Sequence, residues 1–508
     1  MLARVQSSAL RGVDGLPVEV EVDLAGGVPG LAVVGLPEGA VKEGMHRVRA
    51  AVRNGGYTVP YRRIVVNLAP ADLRKEGSAF DLPIAVGILA ASGQLPREAL
   101  AAHAVLGELS LDGAVKPVRG ALPIAAGAQT RGLRGILLPE ANAREAAVVQ
   151  NLDVLPVRSL AEAVEFLRGE LSIPATRVDL QAVFTRDGRS EVDFADVRGQ
   201  DGAKRALEVA AAGGHNVIMV GPPGAGKTML AQRLATILPP LTLEEAVEAT
   251  RVHSVVGLMR GRSLVAARPF RAPHHTISDA GMIGGGSIPR PGEVSLAHRG
   301  VLFLDELPEF RKNVLEVLRQ PLEERRITIA RASGSVSFPA DIMLVAALNP
   351  CPCGWLGDAQ HRCACTMQQV QRYRSRVSGP LLDRIDLHLE VRPVPYRELA
   401  DAAPGESSAA VRARVHAARA VQLARFAGRA IFCNAQMSPA DLRRCAAVDA
   451  AASQLLERAM HALALSARAY TRILKVARTI ADLAGAEHIA AAHVAEAVQY
   501  RTLDRAVE

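Results

Sequence analysis

The sequence predicts an α/β protein of more than one domain, and two patterns of apolar residues support this. Between Phe194 and Val391, short apolar runs alternate with stretches of helical periodicity, which is typical of a parallel sheet with helices on both faces. In about the last seventy residues, helical periods follow one another without a strand pattern between them. A chain of 508 residues also exceeds what one hydrophobic core usually serves.

The residues before this core predict a separate α+β domain. The apolar runs Ile64–Val66 and Gly135–Leu138 lie among Gly and Pro turns and Ala-rich stretches, so we assign this domain to residues 1–169. Residues 170–193 are polar, lack clear periodicity and are predicted to be a linker. The remaining boundaries are expected to be 194–395 for the core, 396–436 for a connection and 437–508 for an all-helical domain.

The composition is typical of a soluble globular protein. Hydrophobic residues make up 49% and charged residues 22% of the chain. No stretch approaches the roughly 18 uncharged apolar residues that a membrane span needs, and no signal-peptide core follows Met1–Arg4. We therefore expect a cytoplasmic protein without a membrane partner.

The basic charge balance is compatible with a nucleic-acid partner. A formal charge of +8 and a pI near 9.4 attract phosphates without sequence recognition. Only 7 of the 60 basic residues are Lys, however, so a genomic bias toward Arg codons explains much of this balance equally well. The charge alone therefore does not distinguish a nucleic-acid partner from a genomic bias.

A phosphate-binding loop follows the apolar strand predicted at Asn216–Val220. The eight residues from Gly221 match G-x-x-x-x-G-K-[ST], and a helix is predicted to begin near Met229, which is the context that the motif requires. Backbone N–H groups and the helix N-terminus bind phosphates, Lys227 reaches the β and γ oxygens, and Thr228 ligates Mg²⁺. The predicted ligands are ATP and Mg²⁺, bound by Gly221, Pro222, Pro223, Gly224, Ala225, Gly226, Lys227, Thr228 and Met229.

Two further apolar strands end in polar residues suited to ATP hydrolysis. The first ends in Asp305, which we expect to hold Mg²⁺, and Glu306, which we expect to polarise the attacking water. The second, Ile342–Leu348, is followed by Asn349, whose amide suits a contact with the γ-phosphate. The alternative for Asn349 is a role in the turn formed with Pro350.

Four cysteines within fifteen residues suggest a metal site. Two C-x-C pairs separated by nine residues can supply tetrahedral ligands to a structural Zn²⁺, although C-x-C is less specific than C-x-x-C. His361 is a spare ligand, and reduced thiols without metal are the alternative. The proposed zinc ligands are Cys351, Cys353, Cys363 and Cys365.

Two segments of the core are candidates for contact with DNA. Residues 325–338 predict a hairpin with Arg331 near its turn, either as a phosphate contact or as a solvated side chain. Residues 244–300 are predicted to be a long insertion, a class of segment that is usually functional or mobile. Within it His274 and His275 are adjacent, so on a regular strand they would face opposite sides, and we interpret them as structural or DNA-facing.

Together these motifs resemble the AAA+ module of magnesium chelatase ATPases and replicative MCM helicases. The chain most resembles the ComM/YifB family, often described as magnesium-chelatase-like, and the resemblance covers essentially the whole chain. Specific marks are Arg271–Thr276, Pro350–Gly354 and the N-terminal domain, and Gly379–Asp386 is shared with the wider group. The resemblance implies a P-loop αβα core with a helical lid, an insert at helix two, a hairpin in a central pore, and a homohexamer.

The resemblance also implies arginines that complete the ATP site. Arg384 corresponds to the arginine finger that reaches the ATP of a neighbouring subunit, which makes hydrolysis depend on assembly. Arg468 corresponds to the second sensor, and Arg472 is a competing candidate. Without the resemblance, Arg384 beside Asp383 and Asp386 would be interpreted as a surface ion pair of little energetic value.

The N-terminal domain resembles the proteolytic domain of Lon, which has the ribosomal S5 type of fold. The resemblance places Ala79 at the nucleophilic Ser and Leu122 at the Lys base, so neither group of the Ser-Lys dyad is present. Ser78 is one residue away, and on a strand it would face the opposite side. We expect no peptidase activity.

Three functions compete at this stage. The first is a hexameric DNA motor, which the resemblance implies promotes branch migration on single-stranded or branched DNA in recombination or natural transformation, with recombination proteins as possible partners. The second is the ATPase subunit of a magnesium chelatase, against which the Lon-like domain and the cysteines argue. The third is a regulatory ATP-binding module, although Glu306 and Arg384 favour turnover.

Overall fold

The computed structural model describes residues 2–75, 77–187, 192–286, 288–331, 334–358, 361–394, 405–429 and 431–501. Parts of the predicted linker and connection, at 188–191, 395–404 and 430, lie outside these ranges, as do Glu76 and the turn residues Ala332 and Ser333. The chain divides into two compact units. Unit 1 comprises Met1–Gly188, Leu243–Ala266 and Ala330–Phe338, and unit 2 comprises Arg189–Thr242, Ala267–Ile329 and Pro339–Glu508.

Unit 1 contains a mixed β-sheet. Its strands are β1 (Leu2–Arg11), β2 (Asp14–Ala25), β3 (Gly30–Val34), β4 (Arg63–Ala69), β5 (His103–Val105), β6 (Glu108–Leu109), β7 (Val115–Lys116), β8 (Gly135–Pro139) and β9 (Asp153–Val157). Seven of them form one sheet in the order β3-β4-β2-β1-β5-β8-β9. The β1–β2 and β2–β4 pairs are antiparallel and the other pairs of this sheet are parallel. Strands β6 and β7 pair separately.

Helices of unit 1 pack on this sheet and supply its core. They are α1 (Gly39–Asn54), α2 (Asp81–Ala91), α3 (Ala121–Thr130), α4 (Glu140–Ala146), α5 (Leu160–Arg168), α6 (Leu180–Asp187) and, from the later segment, α9 (Leu243–Val255). Every residue of α2 is buried, because its sequence is apolar on all sides after Asp81. Burial raises the pKa of Asp81 to about 6, although its ion pair with Arg47, at 2.8 Å, opposes that shift.

Unit 2 contains a five-stranded parallel sheet, which confirms the fold class predicted for the core. Its strands are β10 (Val217–Val220), β11 (Phe270–Arg271), β14 (Val301–Leu304), β17 (Met343–Leu348) and β18 (Leu387–Glu390), in the order β11-β14-β17-β10-β18. All residues of β14 and β17 are buried. Such continuous apolar runs are expected for strands covered on both faces.

Short elements complete the core of the chain. The strands β12 (Gly284–Gly285) and β13 (Arg290–Pro291) pair with each other, as do β15 (Arg326–Arg331) and β16 (Gly334–Pro339), the strands of the predicted hairpin. The helices are α7 (Asp201–Gly213), α8 (Lys227–Ile237), α10 (Asp279–Ile283), α11 (Glu293–Leu296), α12 (Lys312–Glu316), α13 (Arg319–Glu324), α14 (Met367–Arg374) and α15 (Gly379–Leu382). Single 3₁₀ turns occur at Glu98–Leu100, Phe194–Asp196, Leu307–Glu309 and Asn434–Gln436.

The C-terminal part of unit 2 is helical, as the sequence predicts. Its helices are α16 (Ser408–Arg425), α17 (Pro439–Cys445), α18 (Ala450–Ala462), α19 (Ala467–Leu483) and α20 (Ala491–Gln499). Four of them begin with a side-chain cap: Ser407, Ser438, Asp449 and Ser466 each accept a hydrogen bond from a backbone N–H of the first turn. These caps explain why helices rich in Ala and Arg start at defined residues.

In two segments the structure contains elements that the sequence pattern did not indicate. The segment 170–193, predicted to be a linker because it lacks clear periodicity, contains α6, whose eight described residues are too few to give a clear period. The segment 244–300 was predicted to be one insertion, but β11 within it is a strand of the core sheet. A strand of two residues gives no detectable alternation.

Within the described ranges, no helix has both the length and the apolar character that a bilayer crossing requires.

Candidate nucleotide-binding site

The predicted phosphate loop connects β10 directly to α8. Gly224 and Gly226 have φ angles of +78° and +86°, a region in which side chains are strained, so the glycines allow the loop to turn back toward the helix N-terminus. At Gly221, a Cβ would collide with the carbonyl of Val391 after β18. The sequence motif is therefore required by the backbone as well as by phosphate chemistry.

Lys227 points back into this loop. Its Nζ donates hydrogen bonds to the carbonyl oxygens of Gly221, at 2.6 Å, and Pro222, at 2.9 Å, and to Oδ1 of Asn349, at 3.1 Å. Only 9% of the residue is exposed, and this burial lowers the pKa of the ammonium group, while Asp305 and Glu306 oppose the shift. The structure thus brings together Lys227 and Asn349, which lie 122 positions apart in the sequence.

The acid pair lies at the end of β14, two strands from β10 in the sheet. The hydroxyl of Thr228 donates a hydrogen bond to Oδ2 of Asp305, at 2.7 Å, so the two predicted Mg²⁺ ligands are already adjacent. The backbone N–H of Glu306 donates to the other oxygen, Oδ1, of Asp305, at 2.9 Å. Glu306 itself has φ +51°, a left-handed conformation that a non-glycine residue rarely adopts.

These five side chains meet because of the sheet order. Strands β14, β17 and β10 are parallel neighbours, so their carboxyl ends lie at the same edge of the sheet. Ligands of open parallel α/β sheets bind at this edge. The chemistry at the site fits a nucleotide with Mg²⁺, with backbone N–H groups and an ammonium for phosphates and hydroxyl and carboxylate oxygens for the ion. The side chains that meet here are Lys227, Thr228, Asp305, Glu306 and Asn349.

The three arginines that the resemblance implicates lie elsewhere in unit 2, around one cavity of about 180 Å³. None of the P-loop residues 221–228 lines it. Arg468 pairs with Asp383, at 2.6 Å, and Arg472 pairs with Asp386, at 2.7 Å. The lining residues are Glu323, Asp383, Arg384, Arg468, Thr471, Arg472 and Lys475.

Arg384 is the least exposed of these arginines, with 13% of its side chain accessible. It pairs with Glu323 and donates to the carbonyl of Pro380, yet its buried Nε has no partner among the described residues. A buried guanidinium donor without a partner is unusual, because leaving it unpaired costs free energy. Arg384 therefore lines the cavity with one of its guanidinium donors unpaired in the described part of the chain.

A buried network holds Arg472 in place. Asp386 accepts a bond from Arg472 and lies 3.1 Å from Nδ1 of His215, whose Nε2 lies 2.8 Å from the hydroxyl of Thr479. Burial opposes ionisation of Asp386, but Arg472 and His215 lower the pKa of its carboxyl well below the ordinary value. Arg472 therefore has a structural partner that is buried, whereas Arg468 is 73% exposed.

The four clustered cysteines form one group. Their Sγ atoms all lie within 4.8 Å of one another, and those of the pairs Cys351–Cys353, Cys351–Cys363 and Cys353–Cys363 are 3.4, 3.7 and 3.6 Å apart. Tetrahedral zinc with Zn–S bonds of about 2.3 Å places sulfur atoms about 3.8 Å apart. Hydrogen bonds from the N–H groups of Trp355 and Ala364 lower the pKa of Cys353 to about 6. The donor set fits a structural zinc ion.

His361 does not join this group. Its ring stacks on Trp355, with centroids 4.0 Å apart, and its Nδ1 lies 3.1 Å from Oδ1 of Asp358. The cysteine loop instead touches the phosphate loop: a Cβ at Gly354 would lie 2.6 Å from Cδ of Pro223. The cluster is thus positioned to support the backbone that binds phosphates.

His275 is a residue whose position the sequence did not reveal. It lies beyond the end of β11 and not on a strand, so its ring stacks on that of His274, with centroids 4.1 Å apart, and does not face the opposite side. Its Nδ1 lies 3.7 Å from Oε2 of Glu306. The approach depends on the parallel pairing of β11 with β14, which no local pattern predicts.

The other residues singled out in the sequence lie outside the set of side chains that meet at the sheet edge. Arg331 is exposed at the end of β15, next to residues 332 and 333, which lie outside the described ranges. Ser78 lies in a bend and not on a strand, so the predicted opposition to Ala79 does not apply, and its hydroxyl donates to Glu108. Leu122 is fully buried.

Comparisons with known proteins agree with this site. The family profile described as "Magnesium chelatase, subunit ChlI" matches residues 193–399, which include the P-loop, the acid pair and the cysteines. Profiles described as "Subunit ChlI of Mg-chelatase" and "Magnesium chelatase, subunit ChlI C-terminal" match residues 20–142 and 405–501. The competence protein ComM of Haemophilus influenzae is 46% identical over 509 positions, which cover 100% of this chain and 99% of that protein.

The chain belongs to the magnesium-chelatase-like ComM/YifB family. The YifB protein of Escherichia coli is 44% identical over 99% of this chain and 98% of its own length. Lon protease 2 of Bacillus subtilis is 32% identical over 154 residues, which cover 27% of this chain and 26% of that protein. Membership of the ComM/YifB family makes the chain an AAA+ ATPase, for which ATP and Mg²⁺ are the implied ligands.

Proposed function

We propose that this ComM/YifB-family ATPase is a DNA motor that works as a homohexamer and promotes branch migration during recombination or natural transformation. The observation that supports DNA as the substrate is the likeness along the whole chain to a protein named for competence, the capacity to take up DNA. The net charge of +8 suits a polyanion as well. Arg331, exposed beside the hairpin turn, is the proposed phosphate contact.

The proposed hydrolysis uses the side chains at the carboxyl edge of the sheet. Lys227 binds the β and γ oxygens, and Asn349 contacts the γ-phosphate from the neighbouring strand. Thr228 and Asp305 are the residues that would hold Mg²⁺, which when bound neutralises negative charge on the phosphates. Glu306 accepts the proton of the attacking water.

The proposed assembly supplies the remaining positive charge. Because Arg384 and Arg468 line a cavity that their own P-loop does not line, we propose that both act on the nucleotide of a neighbouring subunit. The guanidinium of Arg384, which lines this cavity, is the group that we propose donates to a γ-phosphate oxygen. An arginine supplied in this way makes turnover depend on subunit contact.

We propose a structural role for zinc and no peptidase activity for the N-terminal domain. Four thiolates leave no open position for water, so a zinc ion at Cys351, Cys353, Cys363 and Cys365 would brace the loop next to Pro223. Unit 1 is proposed to lack peptidase activity, because the hydroxyl of Ser78 meets the carboxylate of Glu108 and no amine.

The deciding experiment compares ATP turnover by the full chain without addition, with single-stranded DNA, with a forked duplex, and with a porphyrin and Mg²⁺. We expect stimulation by DNA and displacement of a labelled strand from a branched substrate. Stimulation only by the porphyrin mixture would identify a chelatase-type ATPase, and turnover unaffected by every addition would identify a regulatory module. Either outcome would contradict the DNA motor.

A further inference from the structure

The carboxylate of Glu306 has one potential cationic neighbour in the described part of the chain. Nδ1 of His275 lies 3.7 Å from its Oε2, with the side chains 33% and 56% exposed, and no other Lys, Arg or His group of the described residues comes within 4.0 Å of this carboxylate. The distance is too long for a direct hydrogen bond and short enough for one to form after a small rotation. Catalytic hydrogen bonds are often this loose before the substrate is bound.

The ring of His275 is held from two sides. It stacks on His274 at a centroid distance of 4.1 Å, and it meets the edge of the buried Phe310 at 6.4 Å and an interplanar angle of 78°. His274 is itself fixed, because its Nδ1 lies 2.9 Å from the hydroxyl of Thr276. A side chain packed in this way presents its nitrogen in a defined direction.

The segment that bears His275 is anchored at both ends. At its start, Arg271 pairs with Leu302 of β14 in the parallel ladder and forms two hydrogen bonds with Glu293, at 2.6 and 2.7 Å. After His275, the N–H of Ile277 donates to the carbonyl of His274, at 3.0 Å. His275 and Glu306 therefore keep their separation as long as β11 and β14 stay paired.

We propose that His275 is a positioning residue for Glu306. Glu306 itself has a left-handed backbone conformation, and its side chain is more than half exposed, so its carboxylate has freedom that a water-activating base should not have. An N–H of the imidazole fixes one carboxylate oxygen and leaves the other for the attacking water. This inference rests on the proposed role of Glu306 in hydrolysis.

The test uses the full chain and targets the ring nitrogens of His275. His275→Phe keeps a ring against His274 and Phe310 but removes the donor, and His275→Asn restores a nitrogen near the position of Nδ1. His274→Phe is the matched control, because its nitrogen faces Thr276 and not Glu306. For each variant kcat, KM for ATP and the dissociation constant of a fluorescent ATP analogue are measured.

We expect His275→Phe to lower kcat about tenfold or more, since small misplacement of a catalytic group costs up to about 100-fold. KM and the dissociation constant should stay within about twofold, His275→Asn should regain most of the lost kcat, and His274→Phe should resemble the parent chain. An unchanged or raised kcat in His275→Phe, a parallel loss of nucleotide affinity, a His275→Asn variant no better than His275→Phe, or an equal defect in His274→Phe would each overturn the proposal.

Glu306→Gln separates this inference from the function beneath it. We expect that variant to bind ATP and to lose turnover about 100-fold or more, as removal of a general base does. Glu309→Gln is its control, because Glu309 forms an exposed ion pair with Arg376, at 2.9 Å, of little energetic value. Robust turnover by Glu306→Gln would reject the proposed hydrolysis itself, whereas inactive Glu306→Gln beside active His275→Phe would reject only the role of His275.

Discussion

Lys227 illustrates how a single residue of this chain depends on its surroundings. It is nearly buried, yet its ammonium group meets three acceptors, two from its own loop and one from Asn349. Burial lowers its pKa, and the nearby Asp305 and Glu306 favour the charged form. A charged group in this position is stabilised by acceptors of the same kind that a phosphate presents, which is why the position suits nucleotide binding.

Replacement of this residue should abolish nucleotide binding. Lys227→Ala removes the hydrogen bonds that the ammonium group is proposed to donate to the β- and γ-phosphate oxygens. Two such charge-assisted bonds, each worth about 1.5–3 kcal/mol, correspond to a loss of ATP affinity of about 100-fold or more. Lys204→Ala is the matched control, because Lys204 forms an ion pair with the exposed Asp201, at 2.8 Å, and does not belong to the P-loop. Titration with a fluorescent ATP analogue measures both variants, and near-parental affinity of Lys227→Ala would contradict the assignment.

The sequence predicted those site residues that a local pattern marks. The P-loop is contiguous, and Asp305, Glu306 and Asn349 each end an apolar strand, so the sheet edge could be anticipated from strand patterns. His275 could not be assigned, because its approach to Glu306 depends on the pairing of two strands 30 residues apart. Ser78 was expected on a strand, but it lies in a bend.

At the scale of elements, the loop that carries the four clustered cysteines packs against the P-loop. The Sγ atoms of the four thiols converge to within 4.8 Å of one another. Gly354 of the same loop lies against Pro223, so a change in the loop reaches the P-loop by direct contact. Clustering in the sequence predicted the group, whereas its contact with the P-loop required the fold.

Loss of one thiol should release the proposed metal. Cys363→Ser replaces a partly exposed ligand, so we expect zinc to fall from about one ion per chain to a small fraction, because tetrahedral sites need all four ligands. Thermal unfolding of this variant should begin at a lower temperature. Cys445→Ser, which alters a cysteine outside the cluster, should keep both values. Absence of zinc from the parent chain, purified without chelator, would contradict the assignment.

The element assignments also show where sequence patterns lose information. Long apolar runs such as β14 and β17 were recognised because both faces are buried, and the C-terminal helices were recognised by their helical period. The strand β11 and the helix α6 were not, since two and eight residues are too few for a period to stand out. The grouping of α9 with unit 1 depends on packing between segments more than 100 residues apart.

At the scale of the whole molecule, the separation of Arg384 from its own P-loop is the central feature. The cavity of Arg384, Arg468 and Arg472 contains more positive than negative side chains and is not lined by residues 221–228. This arrangement is what we expect if each chain supplies its P-loop to one ATP site and its arginines to the nucleotide of another subunit, as proposed above. Sequence resemblance suggested this division, while the hexamer itself remains a proposal.

Mixing two inactive variants tests this division most directly. Arg384→Ala keeps an intact P-loop, Lys227→Ala keeps an intact arginine, and each alone should lose turnover by about 1000-fold or more. In mixed assemblies, verified by co-purification of two tags, about one interface in four joins the intact halves, so turnover should recover to as much as about a quarter of the parent value. A mixture of Lys227→Ala with the double variant Lys227→Ala and Arg384→Ala should stay inactive. If verified mixed assemblies of the two single variants stay as inactive as each variant alone, the shared ATP site is contradicted.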